Sequence, residues 1–165
     1  MKQLTALKYG ILFGITLLLN APYQALAADV TSYNAYKMVY KNKGGYIACV
    51  QVRWKTTAGE VAKLWWNANK GTYDSAGLAK ENCVRLNQET TVDLSKVSDL
   101  KDVDSKTLDE GNEVWLTIYI AAGDTKSCRK DSTKYFYSAS GNAKPKFTTS
   151  GTTLNNNHCE LVSKE

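Results

Sequence analysis

Side chains from Asn34 to Trp54 alternate between two faces. Tyr36, Met38 and Tyr40 fall on one side of an extended segment, with Ala35, Lys37, Val39 and Lys41 on the other. Beyond Asn42-Lys43-Gly44-Gly45, the residues Tyr46, Ala48, Val50, Val52 and Trp54 alternate against Ile47, Cys49, Gln51 and Arg53. A period of two marks a strand, because successive side chains leave a pleated backbone on opposite sides. Two such runs joined by a glycine-containing turn predict a hairpin, with Trp54 in the core beside Val50 and Val52.

The same reading continues downstream. Val61 to Ala68 predicts a strand, in which one of Trp65 and Trp66 faces away from the core. Short strands are expected at Cys83 to Leu86 and Thr90 to Leu94, with one helical turn within Ala76 to Asn82. From Ser95 to Glu110 acids and lysines alternate with few large apolar groups, which predicts a solvated connection. Val114, Leu116, Ile118 and Ile120 then form the apolar face of the strongest strand, with Trp115, Thr117 and Tyr119 on its other side. Further strands are expected within Ser127 to Ser138, at Phe147 to Thr149 and at Cys159 to Val162, where Pro145 confines the segment after it to an edge or a turn. The sum is an all-β domain, an antiparallel β-sandwich of seven or eight short strands, with a small closed β-barrel as the alternative.

The first 27 residues stand apart from this pattern. Lys2 and Lys8 precede the apolar run Tyr9 to Leu19, and Ala25-Leu26-Ala27 has the small-x-small form of a cleavage site. The run is too short to span a bilayer. The expectation is a signal peptide over 1–27 and a single exported domain over 28–165, secreted or periplasmic. Asn-x-Ser/Thr is absent, which fits a bacterial source. The leader carries two lysines and no acid, so its removal lowers the net charge from +5 to +3. Lys and Arg are interspersed with Asp and Glu without a basic stripe, which argues against nucleic acid.

Cys49, Cys83, Cys128 and Cys159 give an even count in an oxidising compartment, read as two disulfides. Pairing Cys49 with Cys83 and Cys128 with Cys159 closes two loops of about 30 residues, each worth roughly 3 to 4 kcal/mol. No C-x-x-C or H-x-x-x-H spacing is present, so no metal site or cofactor is expected.

Candidate chemistry is sparse. His158 is the sole histidine and is expected to be exposed, since its neighbour Cys159 projects to the opposite face. A carboxylate pair for glycoside hydrolysis could come from Asp109 with Glu110 or Asp102 with Asp104, and both pairs lie in the polar connection, where solvation keeps carboxylates ordinary. Asp99 to Asp104 has acid spacing but lacks the glycine and terminal glutamate of a calcium loop.

The aromatic side chains offer more. Trp115, Tyr119 and one of Trp65 or Trp66 lie on the side of their strands that the core does not require, and could form a flat platform for a glycan, a membrane surface or a protein. Ser138 to Lys146 reads as a protruding loop bearing Lys144, Pro145 and Lys146. Its Ser138-Ala139-Ser140-Gly141 element is similar to the loop through which small periplasmic lysozyme inhibitors enter their target, a likeness confined to these residues. That resemblance implies an alternative role as inhibitor of a hydrolase such as lysozyme, acting through Ser140, Gly141, Lys144 and Lys146. The principal expectation is a non-catalytic binding or effector protein, with a carboxylate-dependent glycan hydrolase as the third reading.

Overall fold

The computed structural model describes residues 29–74, 80–98 and 105–164. The expected signal peptide over 1–27, most of the helical turn expected within Ala76 to Asn82, and the acidic stretch Asp99 to Asp104 lie outside the described residues.

Eleven strands are described: β1 (Thr31–Ala35), β2 (Lys37–Asn42), β3 (Ala48–Lys55), β4 (Val61–Asn67), β5 (Thr72–Asp74), β6 (Glu89–Asp93), β7 (Glu113–Ile120), β8 (Thr125–Ser127), β9 (Thr133–Tyr137), β10 (Lys146–Ser150) and β11 (His158–Ser163). Seven build one sheet in the order β1-β9-β7-β3-β4-β5, with β8 also on β7. The other four form a second sheet in the order β11-β10-β2-β6. The domain is an all-β sandwich of two open sheets. The strand count exceeds seven or eight because the three-residue segments β5 and β8 are added and the chain breaks at Tyr36, so that β1 and β2 are separate strands. Two pairings are parallel, β1 with β9 and β2 with β10. Both arise where the chain changes sheets, since only Tyr36 separates β1 from β2.

That crossing corrects the expected hairpin. β2 pairs with β6 and β10, whereas β3 pairs with β4 and β7, so the turn after Asn42 leads from one layer to the other. Buried Asn42 directs it: its Nδ2 donates to the carbonyls of Tyr46 at 2.7 Å and Val84 at 3.1 Å, and its Oδ1 accepts from the Gly44 amide at 2.9 Å. A Cβ on Gly44 would run into the Tyr46 ring, so no other residue fits the turn as it stands.

The core lies between the sheets. Val50, Val52 and Trp54 of β3 face Met38 and Tyr40 of β2 and Phe147 of β10, all essentially without solvent contact. Burying the large aromatic rings requires partners for their polar atoms. Trp54 Nε1 donates to the Thr107 carbonyl at 2.7 Å, Trp66 Nε1 to Thr90 Oγ1 at 2.8 Å, and Tyr40 shares a 2.5 Å hydrogen bond with Thr149. The disulfides are Cys49–Cys83 and Cys128–Cys159, as the loop lengths predict. The first ties β3 to the segment entering β6, and the second joins the end of β8 in the large sheet to β11 in the small one.

Candidate functional site

Strand register fixes what the large sheet presents on the face turned away from the core. Along β3 the inner positions are Ala48, Val50, Val52 and Trp54, which leaves Cys49, Gln51, Arg53 and Lys55 outward. Pairing with β4 and β7 sets these in rows across three strands. One row is Trp65, Gln51 and Thr117, and the next is Lys63, Arg53 and Trp115. On the other side of the Trp65 row, Tyr119 is partnered with Cys49.

Trp65 and Tyr119 meet on this face with ring centroids 6.2 Å apart and planes at 89°, an edge-to-face pair. Tyr119 is 39% exposed and Trp65 half-buried, so both rings reach solvent. Trp65 is thus the one of the adjacent tryptophans that faces outward, and Trp115, the third expected member, barely reaches solvent. Trp66 is 3% exposed because alternation turns it inward, where it packs edge-on against Tyr73. Trp115 is on the outer face but only 7% exposed, because the Arg129 guanidinium lies 4.7 Å from its ring centre. Arg129 is held there by two hydrogen bonds to Glu113, Nε to Oε1 at 2.8 Å and Nη2 to Oε2 at 2.6 Å. Trp115 is therefore a floor beneath an arginine and offers no open ring.

Polar groups flank the two open rings. Arg53 Nε donates to Gln51 Oε1 at 2.7 Å, which fixes the guanidinium beside Trp65's row. The Thr117 hydroxyl is buried with no hydrogen-bond partner among the described residues. Arg53 and Lys63 are absent from the sequence-level candidates, although alternation alone puts Arg53 on Gln51's side of β3 and Lys63 on Trp65's side of β4.

The region from Ser138 to Lys146 does not protrude. The Ala143 amide donates to the Asn34 carbonyl at 3.0 Å, and Ala143 forms a bridge to Ala35. Gly141 is pressed to the same strand, where a Cβ would stand 2.7 Å from the Asn34 oxygen. Ser138 and Ala143 are buried, the Ser138 and Ser140 hydroxyls lie 3.3 Å apart, and Lys146 is engaged by Glu89 at 2.6 Å. Of the residues expected to insert into an enzyme cleft, Ser140 and Lys144 are exposed, yet the backbone between them is stitched to β1.

A cleft of about 460 Å³ lies at one end of the large sheet, lined by Lys55, Thr56, Thr57, Glu110, Gly111, Asn112, Glu113 and Phe136. It brings two carboxylates together in a pairing that the sequence did not single out. Both are held below the ordinary carboxylate range. Hydrogen bonds from the Ser138 hydroxyl and the Ala139 amide hold Glu110 down, and the Arg129 guanidinium does so for Glu113. A glycosidase acid needs a carboxyl kept protonated, the opposite of both shifts. Asp109 accepts from the Thr107 hydroxyl at 3.0 Å, while Asp102 and Asp104 lie outside the described residues. His158 is exposed, as the strand pattern predicts, with Nδ1 against the Asn156 carbonyl at 2.9 Å and Nε2 against Glu160 at 2.6 Å. Among the described residues no three His, Cys, Asp or Glu side chains cluster as metal ligands.

No family model matches the chain, and no curated protein matches it. Among solved structures it is similar to a non-hemolytic pneumolysin from Streptococcus pneumoniae strain ST306, with 11% identity over 81% of this chain and 24% of the toxin, at a TM-score of 0.35. It aligns likewise with the cytotoxin suilysin from Streptococcus suis, at 14% identity, 81% and 24% coverage and a TM-score of 0.32. The isolated membrane-binding domain of pneumolysin aligns over 78% of this chain and 97% of its own, with 11% identity and a TM-score of 0.36. The chain thus spans about a quarter of the length of the whole toxins it aligns with. Scores of this size carry no inference about what it binds.

The outer face of the large sheet brings Trp65, Tyr119, Gln51 and Arg53 onto one surface. It combines two open aromatic rings with a guanidinium that the buried Gln51 amide fixes, on adjacent central strands, and the Cys49–Cys83 disulfide starts from the same face beside Tyr119. Strands of a sheet interior hold side chains more rigidly than loops do, which lowers the entropy lost when a ligand docks.

Proposed function

We propose that this chain is an exported, non-catalytic binding protein that recognises a glycan on the outer face of its large sheet. The observation that carries the reading is the Trp65–Tyr119 pair, open to solvent and held edge-to-face at 6.2 Å beside the Arg53–Gln51 hydrogen bond. Sugar rings present C–H faces that stack on aromatic rings, and hydroxyl rims that accept hydrogen bonds from a guanidinium. Two rings at one spot on a rigid sheet match a saccharide unit in scale. A stable protein partner ordinarily covers some 800 Å² per side, with several anchors. Export is supported by the two disulfides, which persist in oxidising compartments.

Titration with neutral and charged oligosaccharides, followed by tryptophan fluorescence, tests the reading. The expected result is saturable quenching that Trp65→Ala and Tyr119→Ala abolish and Lys144→Ala leaves intact. Absence of a response to every saccharide would falsify it.

One observation favours a second reading, docking on a membrane. Leu154 is 81% exposed, within the polar 151–157 loop. Sedimentation with liposomes that is lost in Leu154→Asp and kept in Trp65→Ala would favour it over the glycan.

A further inference from the structure

The rows on the outer face place two cations directly opposite one another. Arg53 of β3 and Lys63 of β4 are register partners, and both side chains stand on the side that carries Trp65. Like charges at directly opposed positions destabilise a sheet pair. Several cations of the sandwich are matched, Arg129 and Lys134 with Glu113, Lys37 with Asp93, Lys126 with Asp124 and Lys146 with Glu89, while lone lysines such as Lys41, Lys43 and Lys144 stand without a second cation as register partner. Arg53 and Lys63 have no carboxylate partner among the described residues. The one hydrogen bond of the Arg53 side chain runs through Nε to Gln51, which fixes the group and leaves both Nη nitrogens unpaired. Glu113, the acid two residues from Trp115 on the same face, is already taken by Arg129 and Lys134.

We infer that the saccharide this face takes is acidic, with a carboxylate or sulfate bound between Arg53 and Lys63. This rests on the glycan reading of the same face and adds its chemical class. Alternate residues on one face of a strand are about 7 Å apart. A sugar ring on Trp65 and Tyr119 thus sets an equatorial acidic substituent over the Lys63–Arg53 row. The open edge of a guanidinium suits a planar carboxylate or the oxygens of a sulfate, and Lys63 adds a second charge. An anion there turns the repulsion between the two cations into attraction for both.

Matched probes separate charge from ring. Tetragalacturonate is compared with its methyl ester, and sulfated cellotetraose with cellotetraose, by calorimetry on the full mature chain. The acidic member of at least one pair is expected to bind about tenfold tighter, as charge-assisted hydrogen bonds allow, and to weaken with added salt. Lys63→Gln should erase that advantage while binding of the neutral member is kept, and Arg53→Gln should erase it while also weakening the neutral member. Lys63 is exposed, so its variant keeps the test valid should Arg53→Gln disturb folding, which circular dichroism would reveal. Equal binding of both members, or equal loss of both in a folded Lys63→Gln protein, overturns the acidic assignment and leaves the glycan reading standing. Binding to phosphatidylserine vesicles with no saccharide bound at all overturns both.

Discussion

The guanidinium of Arg129 lies 4.7 Å from the centre of the Trp115 ring and is clamped there by Glu113. This pair decides which aromatics of β7 are available, since it seals Trp115 and leaves Tyr119 open. Replacing Arg129 with Ala should expose Trp115 and lower stability by about 0.5 to 1 kcal/mol, the value of a cation over a ring at a partly solvated site. Acrylamide quenching is the readout. It should rise in Arg129→Ala and stay level when the same change is made in a Trp115→Phe background.

The ion pair also predicts an acid response. Glu113 is held below the ordinary carboxylate range by Arg129, so the folded state binds its proton less readily than the unfolded chain. The contribution is present above the unfolded value of about 4.5 and is lost as pH falls through the lower folded value. In Glu113→Gln the stability curve below about pH 4.5 should be flatter than in the parent. His158 behaves with the opposite sign: contact with the Asn156 carbonyl and Glu160 raises its value above 6.5. Its contribution is complete below about 6.5 and fades as pH rises through the folded value. Imidazole proton shifts should show a midpoint above 6.5 that returns toward it in Glu160→Gln.

The two disulfides should separate stability from recognition. Each closes a loop of 34 or 31 residues in sequence separation, and replacing either pair with serine should cost roughly 3 to 4 kcal/mol in denaturant unfolding. Cys49 is the register partner of Tyr119, so loss of Cys49–Cys83 should weaken ligand binding at temperatures where the protein is still folded. Loss of Cys128–Cys159, which joins the sheets at the β11 edge, should leave binding unchanged under the same conditions.

Alkaline pH should find a different weak point. Burial pushes the Tyr135 phenol up to about 12 and moves Tyr40 and Tyr73 upward as well. The unfolded chain releases these protons near 10 and the native state retains them, so stability falls as pH climbs past about 10. The Tyr135 hydroxyl also has no partner among the described residues. Tyr135→Phe keeps the ring between Tyr33 and Phe147 and should raise stability by about 1 kcal/mol. It should also move the alkaline unfolding midpoint upward.

Much of this was legible in the chain. The period of two in β3 and β7 gave the core positions Val50, Val52, Trp54, Leu116, Ile118 and Ile120, and loop length gave the disulfide partners. What alternation cannot tell is which strand lies next to which. The hairpin after β2 failed because the contacts of buried Asn42 are made across the layers, and the parallel pairs failed because they join distant segments. Alternation likewise separated Trp115 from the core face, but not the cover that Arg129, fourteen residues onward, places over it. The loop from Ser138 to Lys146 has the composition of a free tip. Only its backbone hydrogen bonds to Asn34 and Ala35 show it fastened down.

Recognition is proposed on the outer face of β3, β4 and β7. Amide and indole chemical-shift mapping with the tightest-binding oligosaccharide tests it most directly. The largest changes are expected on Trp65, Tyr119, Gln51, Arg53 and Lys63, with Lys144, Lys146 and Leu154 silent. Shifts concentrated in the Ser138 to Lys146 segment or the 151–157 loop, with Trp65 and Tyr119 unmoved, would contradict it.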